Sequence, residues 1–210
     1  QRVLFNGDGY SDEWKLEAAR RGLPNLVNSV QAFEVLSNEN KVAFLLNSGV
    51  YRQDELNTRY SVLIERYNMQ LKIEFATIVS MVNQYVLPSV IDYRLKIAML
   101  INSTNIVNTN SGRGDSGDGR DGSVGHLKSI LNILSNKSAD LFEKTNKLDF
   151  SVKEFVKTYS HTNPDVFARK INEVLLPLFK ETSGLCSELE ELVADEHWVL
   201  PKYYDMLFLN

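Results

Sequence analysis

Residues 53–101 read QDELNTRYSVLIERYNMQLKIEFATIVSMVNQYVLPSVIDYRLKIAMLI. Within them Leu56, Tyr60, Leu63, Tyr67, Leu71, Phe75, Ile78, Val82 and Tyr85 recur three or four residues apart. That spacing gathers side chains on one face of an α-helix. Pro88 then interrupts the run, and an interior proline costs a helix ~3 kcal/mol and kinks or ends it. The apolar spacing resumes at once with Val90, Ile91, Tyr93, Leu95, Ile97, Leu100 and Ile101. A helix that bends and continues is therefore expected.

The pattern repeats near the end of the chain. Asn163-Pro164 reads as an N-cap followed by proline at the first helical position, where its missing N–H costs nothing. Phe167, Ile171, Val174, Leu175, Leu178, Leu185, Leu189 and Leu192 follow at helical spacing, with Pro177 among them. Between the two long patterns, residues 124–145 carry Leu127, Ile130, Leu131, Leu134, Leu141 and Phe142. Ser151 and Glu154 have the spacing of a capping box, so a separate short helix is expected from there to about Tyr159.

Before Gln53 the helices should be short. Asp12 and Glu13 open a segment that closes with Arg20, Arg21 and Gly22, and Pro24 follows; this is helical punctuation over about 12–21. Residues 29–48 suggest one broken helix or two short ones, ending at Gly49. No stretch alternates with period two. The fold class expected is all-α: a helical bundle of the up-and-down type with long, proline-kinked helices, plus short N-terminal helices. Residues 102–125 hold six of the eleven glycines, and a flexible, disordered insertion is expected there. The domain reading is a linker and short helix over 1–28, then a helical domain over 29–210.

The totals narrow the function. A chain of 210 residues can bury about 70% of its unfolded surface. Its net charge is -4, with the basic residues scattered; nucleic acid is not an expected partner, because neutralising phosphates needs a basic stripe. No apolar run reaches the ~20 residues of a membrane span. Cys186 is the only cysteine, which excludes an internal disulfide and fits a reducing, cytoplasmic setting. The first residue is Gln1, and a longer polypeptide upstream of it is expected.

Few residues invite chemistry. Asn6-Gly7-Asp8-Gly9 resembles a phosphate cradle, yet it lacks both the lysine and the third glycine of such loops; turn chemistry and a cap at Ser11 or Asp12 explain it. The aspartates Asp115, Asp118 and Asp121 fall every third residue, whereas a calcium loop needs alternate positions and a closing glutamate. Arg113-Gly114-Asp115 has the form of an integrin-recognition tripeptide, for which an intracellular chain has no use. His126, His161 and His197 have no second histidine at ligand spacing, and Cys186 has no adjacent base, so it reads as a buried, inert thiol. No catalytic, cofactor-binding or metal residue is assigned. The ending from His197 to Phe208 is too apolar for a free tail, and Trp198, Tyr203, Tyr204, Leu207 and Phe208 are the candidate assembly contacts.

Two segments together carry a resemblance. Asn6-Gly7-Asp8-Gly9-Tyr10-Ser11-Asp12-Glu13-Trp14, running on through Glu17 to Leu26, resembles the stretch that follows the catalytic region in type III glutamine synthetases. The ending Glu188 to Val193, with Trp198, Pro201, Tyr203, Tyr204, Asp205, Leu207 and Phe208, resembles the C-terminus of that family. Arg59-Tyr60 and Leu87-Pro88 fall at matching places between them, and the glycine-rich segment is a departure.

The resemblance implies a parent enzyme that joins ammonia to glutamate with ATP and a divalent cation, Mg or Mn, bound upstream of this chain. The implied partners are that upstream catalytic domain and the neighbouring subunits of a homo-oligomer. An alternative from a different class is an independent helical adaptor that binds a partner through an apolar groove.

Overall fold

The computed structural model describes residues 4–110, 121–159 and 163–207. Among them there is no strand; the chain is all-α. Its helices are α1 (Asp12–Arg20), α2 (Ser29–Ser37), α3 (Glu39–Asn47), α4 (Gln53–Met81), α5 (Leu87–Asn110), α6 (Asp121–Tyr159), α7 (Pro164–Lys170), α8 (Leu176–Leu192) and α9 (Tyr203–Leu207). Two compact units result: Gln1–Asn68 with Pro164–Arg169, and Met69–Asn163 with Lys170–Asn210.

Both prolines of the long helices are met in the same way. One π-turn, Val82–Val86, joins α4 to α5, and its end is marked by the Leu87 N–H donating to the Val82 carbonyl. A second, Ile171–Leu175, joins α7 to α8, with the Leu176 N–H donating to the Ile171 carbonyl. A π-turn inserts one residue and widens the ladder, which relieves the clash a proline ring makes with the carbonyl four residues earlier. The local sequences correspond: Val82-Asn-Gln-Tyr-Val-Leu-Pro88 and Ile171-Asn-Glu-Val-Leu-Leu-Pro177. Val82 and Val86 are buried in the first, Ile171 and Leu175 in the second.

The first unit begins with a local turn. The Asp8 side chain accepts from the Tyr10 N–H at 2.9 Å, and Ser11 Oγ caps α1 by accepting from the Trp14 N–H at 3.2 Å. Positive φ is found, among the described residues, at Gly22 and Gly49. Each of these closes a helix in a Schellman motif: Leu23 N–H donates to the Ala18 carbonyl, and Val50 N–H to that of Leu45. Trp14 stacks on Phe5 at 4.7 Å. Glu17 takes Arg20 Nε at 2.7 Å and Arg21 Nε at 2.6 Å, while Arg21 Nη1 donates to the Leu4 carbonyl at 2.6 Å. Hydrogen bonds from these two guanidiniums, Arg20 first, lower the Glu17 carboxyl to about 2.

The unit's core gathers Val30, Ile64 and Ala168, with Phe33, Tyr60 and Tyr67 against them. Asn68 Nδ2 donates to the Pro164 carbonyl at 2.9 Å and Arg169 pairs with Glu34 at 2.8 Å, so the start of α7 is held by polar links as well. Burial, then a hydrogen bond to Asp165, pushes the Tyr60 phenol well above its usual range.

The second unit is built on α5, α6 and α8. Val86, Val90, Ile97 and Ile101 meet Val124, Leu134 and Leu141 of α6, with Leu189, Val193 and Trp198 closing the cluster. Lys137 pairs with Glu188; seven residues on along α6, Lys144 pairs with Glu181, seven residues back along α8. The two helices therefore run antiparallel.

Two local expectations change. Residues 102–110 and 121–125, read as part of a flexible loop, are helical ends of α5 and α6. Ile101 and Val124 bury in one cluster, so tertiary packing sustains helix there, even though the Ser103 and Thr104 hydroxyls donate back to the Leu100 carbonyl, a bond that does not itself favour helix. The rest of that loop, including Arg113-Gly114-Asp115, lies outside the described residues, as does His161. The capping box at Ser151 starts no helix, because α6 runs unbroken to Tyr159. A box starts a helix only where the preceding backbone is already non-helical, and buried Leu141 and Leu148 keep it helical.

Two predictions follow from this geometry. Gly49→Ala places a side chain at φ 71° in open space and should cost about 1 kcal/mol, whereas Gly184→Ala, inside α8 with no neighbour in the way, should add about 0.5–1 kcal/mol; urea unfolding of both variants measures the opposite signs. The second concerns pH. Because the folded Glu17 carboxyl sits near 2 against an ordinary 4.5, its stabilisation is complete above the unfolded value and is lost as pH falls from there through about 2. Trp14 fluorescence in a Trp198→Phe background should report that loosening, and Glu17→Gln should abolish its pH dependence.

Candidate functional site

Candidate chemistry can be followed residue by residue. His197 Nδ1 lies 2.6 Å from Asp92 Oδ2, and its ring packs against Tyr93 at 5.4 Å. The acidic neighbours in sequence supply only a longer approach, Glu196 to Nε2 at 3.4 Å; the principal partner comes from α5. His126 is exposed. Among the described residues no group of three or more His, Cys, Asp or Glu side chains could hold a metal. These described residues do not fit a divalent cation. Burial first, and the Glu190 charge second, push the Cys186 thiol up to about 11, so it is protonated at neutral pH and a poor nucleophile.

The apolar ending divides into an anchor and an exposed part. Trp198 is 8% exposed and belongs to the core of the second unit, while Leu207 is 78% exposed. Val199 N–H donates to Ser89 Oγ at 3.4 Å, and Lys202 pairs with Asp195. The first of these links holds the chain after α8 against α5, and the second closes the tail on itself. The side chains of Tyr203 and Tyr204, and Phe208 altogether, lie outside the described residues.

What the returning tail creates is a groove of about 500 Å³. Val82 and Val86 of the π-turn, Ile73 and Met81 of α4, Phe179 and Cys186 of α8, and Trp198, Leu200, Pro201 and Met206 of the tail line it. Its lining is mostly apolar, with Glu74 and Glu190 as its charged members. No local pattern announces it, since its walls lie more than ninety residues apart in the chain. The signal available in sequence was indirect: exposed-face methionines on a helix whose opposite face is the core.

The described residues thus form an all-helical chain with an apolar groove lined by the π-turn, α4, α8 and the tail. Comparison with known sequences places it. The profile of the glutamine synthetase C-terminal domain family matches residues 1–105, and the chain belongs to that family. It is 31% identical over its whole length to a type-3 glutamine synthetase of Dictyostelium discoideum, and 30% identical over 99% of its length to a glutamine synthetase of Butyrivibrio fibrisolvens. A glutamine synthetase of Bacteroides fragilis (strain YCH46) is 27% identical over 98% of the chain. The chain spans 27–28% of the length of these relatives, so it corresponds to part of a larger enzyme.

The anchor and the exposed tail should separate on mutation. Trp198→Ala removes a buried aromatic and should cost about 3–5 kcal/mol, whereas Leu207→Ala should change stability by less than about 0.5 kcal/mol. Equal effects in chemical unfolding would contradict this division.

Proposed function

We propose that this chain is the helical C-terminal part of a type III-like glutamate–ammonia ligase, in which it supports folding and subunit assembly. One observation carries the reading: the similarity to enzymes named glutamine synthetases runs along 98–100% of the chain. ATP and a magnesium or manganese ion belong, in this reading, to the catalytic domain upstream, and the isolated fragment is inactive. Residues 1–28 serve as the connector to that domain, and 29–210 as the helical domain itself. The independent-adaptor alternative has less support, since its motivation was an apolar groove without a family.

Assembly is assigned to the tail. Trp198 anchors it, and the exposed Leu207, with Tyr203, Tyr204 and Phe208, meets the upstream domain or a neighbouring subunit of a homo-oligomer. The scattered charge and the lack, among the described residues, of a helix long and apolar enough to cross a membrane fit a cytoplasmic assembly without nucleic acid or lipid.

The full-length protein tests both parts. Glutamine formation from ATP, glutamate and ammonia is expected from it and not from residues 1–210 alone. Failure of the full-length protein would overturn the ligase reading. Met206→Glu with Leu207→Glu should shift light-scattering mass toward smaller species while leaving the unfolding midpoint nearly unchanged; unaltered assembly would remove the tail's role.

A further inference from the structure

The groove carries charges that the described residues leave without a cation. Glu74 comes from α4 and Glu190 from α8. Glu74 accepts from Gln70 Nε2 at 2.8 Å, and neither carboxylate has a lysine or arginine partner among the described residues. Elsewhere in this unit acidic side chains such as Glu181, Glu188 and Glu196 are paired with lysine. The indole N–H of Trp198, which also lines the groove, is buried without an acceptor.

The apolar part extends past the cavity. Met69 is 63% exposed and Ile73 61% exposed, and with Thr77 and Met81 they step along α4 at intervals of four residues. That strip is about 18 Å long at 1.5 Å per residue, more than a small ligand covers and close to three turns of helix. Met206 borders it from the tail, so three of the chain's four methionines belong to this surface. Thioethers are deformable and polarizable, and surfaces rich in them accept varied apolar side chains.

A long apolar strip, adaptable methionines and two unpaired carboxylates match one kind of occupant by charge and shape. We propose that this groove receives a basic amphipathic helix of a partner protein. Its apolar face lies on Ile73, Met81 and Met206, as a helix lies in a groove with anchors at three- and four-residue steps. Its lysine or arginine side chains pair with Glu74 and Glu190. The inference stands independently of the ligase reading.

The test uses the full-length protein and a fluorescein-labelled peptide of about 18 residues, leucine on one helical face and lysine on the other. A counterpart has glutamate for every lysine and the same apolar face. Fluorescence polarization should show the lysine peptide binding at least about ten-fold tighter than the glutamate one, with the difference shrinking at high salt. Glu74→Gln with Glu190→Gln, which preserves shape, should erase most of that preference; Ile73→Asp should weaken both peptides. Hydrogen exchange on the same complex should slow over residues 73–86 and 183–201. Equal affinity for the two peptides, a preference that survives the double glutamine variant, or protection confined elsewhere would each overturn the proposal. So would failure of the full-length protein to bind, which is the result if another of its own segments already fills the groove.

Discussion

A proline inside a buried helix removes one N–H from the ladder and drives its ring toward the carbonyl four residues back. This chain accepts that constraint twice, at Pro88 and Pro177. In each case a five-residue π-turn ends two residues before the proline. The prolines face outward, and so do Gln84 and Glu173, whose carbonyls lose their usual donors; water can satisfy them there. The inner face is kept intact, because Val82, Val86 and Val90 remain at four-residue steps and stay buried. The extra residue thus lets a helix carry a proline without surrendering its packing.

The rest of the second unit depends on that arrangement. Val82 and Val86 belong to the core and also line the groove, so the π-turn is where interior and binding surface meet. Ser89, directly after Pro88, is buried and accepts from the Val199 backbone. The tail is consequently fastened at the turn itself. The antiparallel register of α6 and α8, seen in the Lys137–Glu188 and Lys144–Glu181 pairs, holds the opposite wall.

Most helices were legible because their signals are local. Ser11 as a cap, Gly22 and Gly49 as terminators, and Asn163-Pro164 as a start each act within one turn of chain. Where sequence reasoning failed, a local signal was overruled from a distance. Ser151 and Glu154 have the right spacing for a helix start, yet the buried stripe of α6 passes straight through them. The polar run after Asn102 looks unable to pack, although Ile101 and Val124 draw both of its flanks into the core. The groove was illegible for the same reason: its walls are Ile73, Cys186 and Met206, and only the return of the tail brings them together. His197 likewise finds Asp92 from more than a hundred residues away, while its acidic sequence neighbours contribute little.

Electrostatics separates structural charge from functional charge in this fold. A perturbed titration in a cleft is a common mark of an active site, and here the shifted carboxylates lie outside the groove. Glu17 is lowered because Arg20 and Arg21 bond to it, Glu181 because Lys144 does, and Glu196 because Lys96 does. The Glu181 and Glu196 pairs fasten one segment to another, while the Glu17 pairs lie within α1 and its cap; exposed pairs of this kind are worth little energy singly. Cys186 moves the other way, through burial, and that makes it less reactive. The groups whose arrangement calls for an external partner are instead Glu74 and Glu190, which sit beside apolar surface without a cation among the described residues. Such a pattern suits recognition: Glu181, Glu188 and Glu196 each have a lysine partner, whereas neither groove carboxylate has a cation partner among the described residues.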